Sequence, residues 1–351
     1  LSPVAPLIAE TGGLNAMIVD STALPEQAVR DVIASAFQSA GQRCSALRCL
    51  YVQEDIADRF KSMLYGAMDA LVVGDPRDQA TDVGPVIDVQ AAARINAHIQ
   101  EGRILHQVSA PASGTFVSPT VLAVNGIEDL QVEIFGPVLH LATYKAEDFD
   151  KIIGAINATG FGLTFGLHSR IDERVQDVIR NVNVGNIYIN RNQIGAIVGS
   201  QPFGGHGLSG TGPKAGGPLY LPQFQKNPDF VIIREELPGP TGESNIYNVT
   251  PKSHVVCFGP TAADDAKWAN EQGVDAIVFE GTIEDLCAIS DLNLVIGSGA
   301  DLTTLRRKLA ERDGPIVQTR VRDVALPLLF KETAICIDTT AAGGNVDLLG
   351  K

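Results

Sequence analysis

The stretch 39-SAGQRCSALRCLYV-52 joins a predicted helix to a predicted strand, and the fold is inferred outward from it. The helix is predicted to begin at Pro25 and to end at Gly41, because glycine adopts the left-handed conformation that closes helices at little steric cost. Its apolar residues recur at the spacing of one helical face: Val29, Val32, Ile33, Ala36 and Phe37. The following run, 46-ALRCLYV-52, is typical of a strand that is buried on both faces.

Helices and strands alternate on both sides of this stretch. Strands are predicted within 7–19, 115–124, 133–144 and 185–190, and helices over 56–71, 89–100 and 148–158. This alternation predicts an α/β domain with a mostly parallel sheet and helices on both faces.

A change of composition separates the second part of the chain. The proline- and glycine-rich segment 237-LPGPTGESN-245 predicts a linker, after which strands and helices alternate again up to the apolar run 333-TAICIDTT-340. We therefore predict three parts: a large α/β domain over 1–215, strands and a linker over 216–250, and a smaller α/β domain over 251–351.

Composition excludes several function classes. The 351 residues carry a formal net charge of −14, which disfavours binding to nucleic acid or anionic lipid. No apolar run reaches the roughly 18 to 20 residues that cross a bilayer, so membrane insertion is not expected. Five cysteines without framework spacing favour a reducing compartment, with the cytoplasm as the default. Because the chain starts at Leu1 and passes directly into a strand pattern, we interpret it as a fragment of a longer protein.

Two side chains could carry chemistry. Cys44 lies in a predicted turn beside Arg43, and a neighbouring cation favours the nucleophilic thiolate; the alternative is a small buried residue. Cys49 lies inside the apolar strand, where burial would make it inert. Glu10 precedes two glycines at a strand end and could serve as a general base, or could be an ordinary solvated carboxylate. The histidines show no metal-binding spacing, so no metal is predicted.

Five motifs in order connect these residues: 9-AETGG-13, 41-GQRC-44, 133-EIFGPV-138, 162-GLTFG-166 and 201-QPFGGHGLSG-210. Together they resemble the aldehyde dehydrogenase superfamily over about 9–216. The stretch 185–221 is similar to the glutamate γ-semialdehyde dehydrogenase part of the bacterial bifunctional proline utilization A flavoenzymes, and 237–245 and 339-TTAAGGN-345 resemble the C-terminal segments of those proteins.

This resemblance implies NAD-dependent oxidation of L-glutamate γ-semialdehyde to L-glutamate, the second step of proline catabolism. Cys44 would form a thiohemiacetal and then a thioester, its backbone N–H would help hold the oxyanion, and Glu10 would activate the hydrolytic water. The resemblance also implies an upstream proline dehydrogenase domain, so FAD would belong to that domain and not to this chain. The resemblance places most of the NAD-binding domain, and the asparagine that completes the oxyanion hole, upstream of Leu1.

The same resemblance assigns the binding residues. Glu133 would hydrogen-bond the nicotinamide ribose, and Phe135 would lie beside the nicotinamide unless it is a plain core aromatic. The α-carboxylate of the substrate would be bound by Ser45, Gly199 and Ser200. Phe203 would cover the aliphatic stem of the substrate. The alternative for Ser200 is an exposed loop hydroxyl.

Other interpretations stay open. The chain could be a folded but inactive structural module, or a cysteine hydrolase that pairs Cys44 with a histidine. A phosphate-binding turn at 297-GSGADL-302 is disfavoured, because the third glycine is missing and Leu302 would crowd the helix against the strand. Strands in 218–224 and 231–236 are expected to pair with a second subunit in a homo-oligomer.

Overall fold

The computed structural model describes residues 7–224, 235–299, 301–322 and 326–340. The strands are β1 Ala16–Val19, β2 Cys49–Gln53, β3 Arg103–Gln107, β4 Thr120–Ala123, β5 Val138–Tyr144, β6 Phe161–Gly162, β7 Thr164–His168, β8 Asn186–Ile189, β9 His206–Gly207, β10 Glu235–Leu237, β11 Glu243–Pro251, β12 Val255–Phe258, β13 Ala276–Phe279, β14 Leu294–Gly297, β15 Gln318–Arg320 and β16 Phe330–Asp338. The α-helices are α1 Pro25–Phe37, α2 Glu54–Asp69, α3 Val89–Glu101, α4 Phe149–Ala158, α5 Asp172–Asn181, α6 Ala262–Glu271, α7 Ile283–Cys287 and α8 Leu302–Ala310.

A ten-stranded sheet forms the larger part of the molecule, in the order β10-β11-β16-β8-β7-β1-β2-β5-β4-β3. The strands from β16 to β4 run parallel to their neighbours, whereas β10, β11 and β3 pair antiparallel at the two edges. The predicted α/β class with a mostly parallel sheet is therefore confirmed. Among the described helices, none combines the length and apolar character needed to cross a bilayer.

Helices cover both faces of this sheet, as the sequence predicts. Successive residues of a strand point to opposite faces, so Met17 and Val19 join one apolar core and Ala16 and Ile18 join the other. The first core also contains buried residues of α1, α2 and α3, and the second contains those of α4 and α5. The central strands are consequently buried on both sides and form a rigid base for the loops at their ends.

The turn before β2 differs in detail from its prediction. Helix α1 begins at Pro25 as predicted, but its α-helical part ends at Phe37, because Ser39 and Ala40 already have φ values of 55° and 53°. Gly41 has a φ of +64°, and a Cβ there would overlap the carbonyl oxygen of Gly136. Glycine is therefore needed at this position for close backbone packing in addition to its conformation.

The C-terminal part of the sheet was not foreseen. The second half of the predicted linker, from Glu243 onward, is the start of β11, which pairs along its full length with β16. Strand β16 also pairs in parallel with β8, so the run predicted to end the smaller domain lies in the large sheet. An alternating polar segment such as 243–251 gives no sign of a distant partner strand.

The smaller sheet has the order β13-β12-β14-β15, with all its strands parallel. Its residues lie between β11 and β16 in the chain, and its two apolar cores contain residues of α6, α7 and α8. Of the two predicted subunit-pairing strands, 218–224 is not a strand, because turns lead into a 3-10 helix over Leu221–Phe224. The described part of 231–236 belongs to β10, which pairs with β11 of the same chain. Residues 231–234 and 341–345 lie outside the described ranges, and the three-part division of the chain and the homo-oligomer stay predictions.

Candidate active site

The candidate nucleophile lies in a turn that a buried asparagine supports. Cys44 is exposed between the end of helix α1 and strand β2, whereas the adjacent Ser45 is buried. The side-chain amide of Asn15 donates to the carbonyl oxygens of Cys44 at 2.6 Å and Ala46 at 2.9 Å, and its Oδ1 accepts from the backbone N–H of Thr164 at 3.2 Å. Asn15 thus ties the turn to the start of β1 and to β7.

The electrostatic environment of the thiol differs from expectation. Partial burial of the sulfur raises the pKa of Cys44, the N–H of Ser45 opposes this shift, and the charges of Glu10 and Glu133 reinforce it. The expected acidification by Arg43 is not found, because the Arg43 side chain turns to the hydroxyl of Ser39 at 3.0 Å. The thiol is accessible but is not pre-ionised.

The other cysteine of the quoted stretch has no access to solvent. Cys49 is fully buried in β2, and burial raises its pKa far above the ordinary value of a thiol. Its side chain belongs to the second apolar core of the large sheet. This agrees with the prediction that Cys49 is structural.

Glu10 lies opposite a glycine-rich loop. The segment around it pairs with residues 209–211, through an isolated bridge between Glu10 and Gly210 and a hydrogen bond from Thr11 N–H to the carbonyl oxygen of Ser209. Its carboxylate accepts the backbone N–H of Gly205 at 3.3 Å. Although Glu10 is an exposed residue, partial desolvation of its carboxyl group raises its pKa to about 7, against the lowering effects of the Gly205 N–H and the charge of Lys214.

These features suit a general base. A carboxyl group with a pKa close to neutrality can both accept and release a proton at working pH. Glu10 is also near enough to Cys44 for its charge to raise the pKa of the thiol. The structure therefore brings the two residues of the predicted catalytic pair into one site.

Glu133 and Phe135 adjoin the nucleophile turn through Arg48. The Arg48 guanidinium is buried, donates to Glu133 Oε1 at 2.9 and 3.2 Å, and donates to the carbonyl oxygens of Gly41 at 2.7 Å and Arg43 at 3.1 Å. The guanidinium carbon lies 5.1 Å from the centre of the Phe135 ring, a cation–π contact. Phe135 is 44% exposed, so the alternative of a core aromatic does not apply.

The two ends of the 193–205 loop contact Ser45, which follows the nucleophile, and Glu10. The Gln193 side chain donates to the carbonyl oxygen of Ser45 at 3.3 Å, and Gly205 N–H donates to Glu10. Between these ends, Gly199 is exposed with a φ of +84°, and Ser200 is half-buried with its N–H donating to Ile197 at 3.2 Å. Phe203 is half-buried and exchanges backbone hydrogen bonds with Ala215 at 3.0 and 2.8 Å.

The described histidine side chains have contacts of their own. His98 Nε2 lies 2.8 Å from His140 Nε2, His106 Nε2 lies 2.7 Å from Asp69, and His254 Nε2 lies 3.0 Å from Asp291. The remaining two are the buried His168 and the half-buried His206; desolvation lowers the pKa of both, so they stay neutral. None of these contacts reaches Cys44, which argues against a histidine-assisted hydrolase. Within the described ranges, no three His, Cys, Asp or Glu side chains are grouped to hold a metal ion.

Three polar residues of the site were not identified from the sequence: Asn15, Arg48 and Lys214. Each is at most 2% exposed. The sequence does contain an indication for Arg48, because a charged residue inside an apolar run such as 46–52 needs a buried partner. Asn15 and Lys214 stand in loops, where the sequence does not distinguish a buried polar side chain from a solvated one.

Comparison with known proteins places this site in a family. The model of the aldehyde dehydrogenase family matches residues 2–227. The bifunctional protein PutA of Escherichia coli is 39% identical over 98% of this chain and 33% of its own length. The 1-pyrroline-5-carboxylate dehydrogenase of Geobacillus kaustophilus is 44% identical over 61% of this chain and 43% of its own length. The chain thus spans about a third of the E. coli protein.

Solved structures show the same relationship. A crystal structure of a mutant proline utilization A (PutA) from Bradyrhizobium japonicum is 57% identical, with a TM-score of 0.62 over 63% of this chain and 23% of its own. Proline utilization A from Corynebacterium freiburgense is 27% identical, with a TM-score of 0.78 over 95% of this chain and 39% of its own. These matches support what the five motifs and the site geometry indicate. The chain belongs to the aldehyde dehydrogenase family.

Proposed function

We propose that this chain carries the catalytic residues of an enzyme that oxidises L-glutamate γ-semialdehyde to L-glutamate with NAD, the second step of proline catabolism. The names of its relatives support the substrate, and the site supports the chemistry. The observation that carries the proposal is the pairing of two groups. Cys44 has an exposed thiol, and the carboxyl group of Glu10 has a pKa near neutrality and a charge that acts on this thiol.

The two residues act in succession. Cys44 loses its proton as its sulfur attacks the aldehyde carbon, and the resulting thiohemiacetal oxygen is near the backbone N–H groups of Cys44 and Ser45. After oxidation to the thioester, Glu10 takes a proton from water, the oxygen bonds to the acyl carbon, and the carbon–sulfur bond breaks to release the acid. Because the pKa of Cys44 is raised, its thiolate is scarce at neutral pH, and Glu10 as carboxylate can also assist the first deprotonation.

The residues present fit a nicotinamide ribose. An ionised carboxylate has about four acceptor positions, and Glu133 uses three, for Arg48 Nε, Arg48 Nη2 and Gly13 N–H. One position is left for a ribose hydroxyl, and the exposed Phe135 ring offers an apolar surface beside it. When bound, NAD would supply the acceptor for the hydride that leaves the carbon attached to Cys44.

The 193–205 loop is the proposed site of the substrate α-carboxylate. Gly199 has a left-handed φ with open space where its Cβ would stand, and Ser200 adds a hydroxyl beside it. Backbone amides in such a turn can hold an anion without an arginine. We assign Ser45, which follows the nucleophile, as a further polar contact and Phe203, in the motif 201–210, as cover for the aliphatic stem; both assignments follow the family resemblance.

A second candidate function is a folded but inactive module. It follows from length, since the chain spans about a third of the E. coli relative. In the whole protein we infer a proline dehydrogenase domain with FAD, a homo-oligomer and a cytoplasmic location.

The deciding experiment measures NADH formation from L-glutamate γ-semialdehyde by this chain and by a longer polypeptide that contains it. Activity in the longer form that is lost on Cys44→Ala supports the proposed function. If only the longer polypeptide is active, this chain by itself is the inactive module. Full activity of the Cys44→Ala variant would contradict the proposal.

A further inference from the structure

A buried lysine lies behind the general base. Lys214 is 2% exposed and follows the glycine-rich loop 204–210. Its ammonium donates to the side-chain oxygen of Asn186 at 2.7 Å and to the carbonyl oxygen of Gly204 at 2.5 Å. A buried charge of this kind is costly unless it is hydrogen-bonded and has an opposite charge nearby, so its presence calls for an explanation.

One peptide group connects this lysine to Glu10. The carbonyl oxygen of Gly204, which accepts from Lys214, and the N–H of Gly205, which donates to Glu10 at 3.3 Å, belong to the same planar peptide unit. A hydrogen bond at one end of a peptide group polarises it and strengthens the bond at the other end. Lys214 therefore fixes the orientation of the donor that faces the carboxylate.

The packing around Gly204 requires this close approach. A Cβ at Gly204 would lie 3.0 Å from Glu10 Oε1 and 3.3 Å from the Cα of Lys214. Gly185 stands on the other side, where a Cβ would lie 2.7 Å from the Lys214 ammonium. Two glycines thus provide the space in which Lys214, the peptide and Glu10 come together.

The C-terminal strand supplies the opposite charge. Glu332 of β16 is 4% exposed, accepts the backbone N–H of Lys214 at 2.8 Å and accepts the hydroxyl of Tyr247 at 2.6 Å. Burial lowers the pKa of Lys214 to about 7, while the charges of Glu332 and Glu10 act against this shift. Other titratable groups also face this cluster: Cys44 near Glu10, Lys252 near Glu332, the neutral His206 near Lys214, and Lys331 near Lys252 and His206.

We propose that Lys214 is a positioning residue for the general base: through the Gly204–Gly205 peptide group it holds the Glu10 carboxylate in place, and its charge favours the ionised form. Glu332 maintains the lysine in this role, which makes the C-terminal strand a part of the acid–base machinery. This inference rests on the proposed function of Glu10.

A test that needs no cofactor uses p-nitrophenyl acetate. Cys44 attacks the ester carbon and p-nitrophenolate leaves, which gives a burst whose amplitude counts reactive sites. Water then attacks the acetyl thioester, Glu10 takes the water proton, and acetate and the thiol are released. The pH dependence of this second, steady-state phase reports the pKa of Glu10.

The Lys214→Met variant is expected to keep the burst amplitude and to shift the midpoint of the deacylation profile upward by about one pH unit, because an opposite charge is removed. The Glu332→Gln variant, which retains the shape of the side chain, should shift it in the same direction. Lys331→Met is the matched control on β16, since the Lys331 ammonium donates to Asn183 at 2.9 Å and its charge is not among those that act on Glu10 or Lys214; its profile should stay unchanged.

An unchanged midpoint in a Lys214→Met variant with a full burst would overturn the inference. If the Lys214→Met variant does not fold, the deacylation profile of Glu332→Gln is the test. An unchanged midpoint in that variant would also overturn the inference. These outcomes differ from failure of the proposed function, which would remove the burst from the unaltered protein. A shift of equal size in the Lys331→Met control would also count against Lys214.

Discussion

At the scale of the residue, two cysteines five positions apart have opposite environments. Cys44 is exposed in a turn, and Cys49 is fully buried in β2. We expect a haloacetamide at neutral pH to label Cys44 and to leave Cys49 unmodified in the folded protein, because access to the thiol limits the reaction. Mass spectrometry of the labelled peptides measures both rates. Comparable labelling of the two residues under folding conditions would refute this assignment, and labelling of both after denaturation is the control.

Glu10 gives a prediction about pH. Desolvation raises its pKa to about 7, so the carboxylate that acts as base grows in population as the pH rises from 6 to 8. Below that pKa, the deacylation rate of an acetylated Cys44 should rise about tenfold per pH unit and then level off. Glu10→Gln should keep the burst and abolish the pH-dependent phase. A Gln variant that deacylates with the same pH profile would show that another group is the base.

These residues also show where prediction from sequence ends. Cys44 and Glu10 could be singled out, because turns and glycines around a reactive side chain are local features. The raised pKa of Cys44 could not, since it depends on burial of the sulfur in the folded protein and on charges from two other segments, at Glu10 and Glu133. Lys214 was missed for the same reason: its partners, Asn186 and Glu332, come from strands far apart in the chain.

At the scale of the element, Arg48 joins the nucleophile turn to the loop that carries Glu133. Arg48→Met would remove both donors of Glu133 Oε1 and the donor of the Gly41 carbonyl oxygen, and loss of one partner of a buried ion pair costs up to about 3–5 kcal/mol. We expect the free energy of unfolding in urea to fall by an amount of this order. Arg43→Met, which removes only a bond to Ser39, serves as the control and should change stability by less than about 1 kcal/mol. Equal losses in the two variants would contradict the role given to Arg48.

Element types were predicted more successfully than element partners. The starts of α1 and α3 and the strand after Cys44 follow from apolar periodicity and from Pro25 as a helix start. The end of α1 was wrong because two non-glycine residues adopt left-handed conformations, Ser39 and Ala40, where tertiary packing overrides local preference. The strand predicted over 185–190 is β8, which is buried throughout between its neighbours β7 and β16.

At the scale of the whole molecule, the smaller sheet is an insertion at the tip of a long hairpin. Strands β11 and β16 are paired from Glu243 with Asp338 to Pro251 with Phe330, and the intervening residues form the unit with strands β12 to β15. The chain therefore leaves the large sheet after β11 and returns to it in β16. The boundary predicted between residues 250 and 251 does not describe this path. The next contact at the hairpin tip is the hydrogen bond from Lys252 N–H to the carbonyl oxygen of Leu329 at 2.8 Å.

This topology predicts opposite effects for two deletions. Replacement of residues 253–328 by a short glycine-containing turn keeps β11 beside β16 and should leave the large sheet able to unfold in one cooperative transition. Truncation after Val321 retains the strands of the smaller sheet but removes β16, which leaves the backbone groups on the β16-facing edges of β8 and β11 unpaired. We therefore expect the truncated chain to unfold at lower urea concentration, or to aggregate, although it keeps more of the sequence. Circular dichroism during urea unfolding measures both variants against the parent chain. A truncated chain as stable as the chain with the internal replacement would show that β16 belongs energetically to the smaller unit.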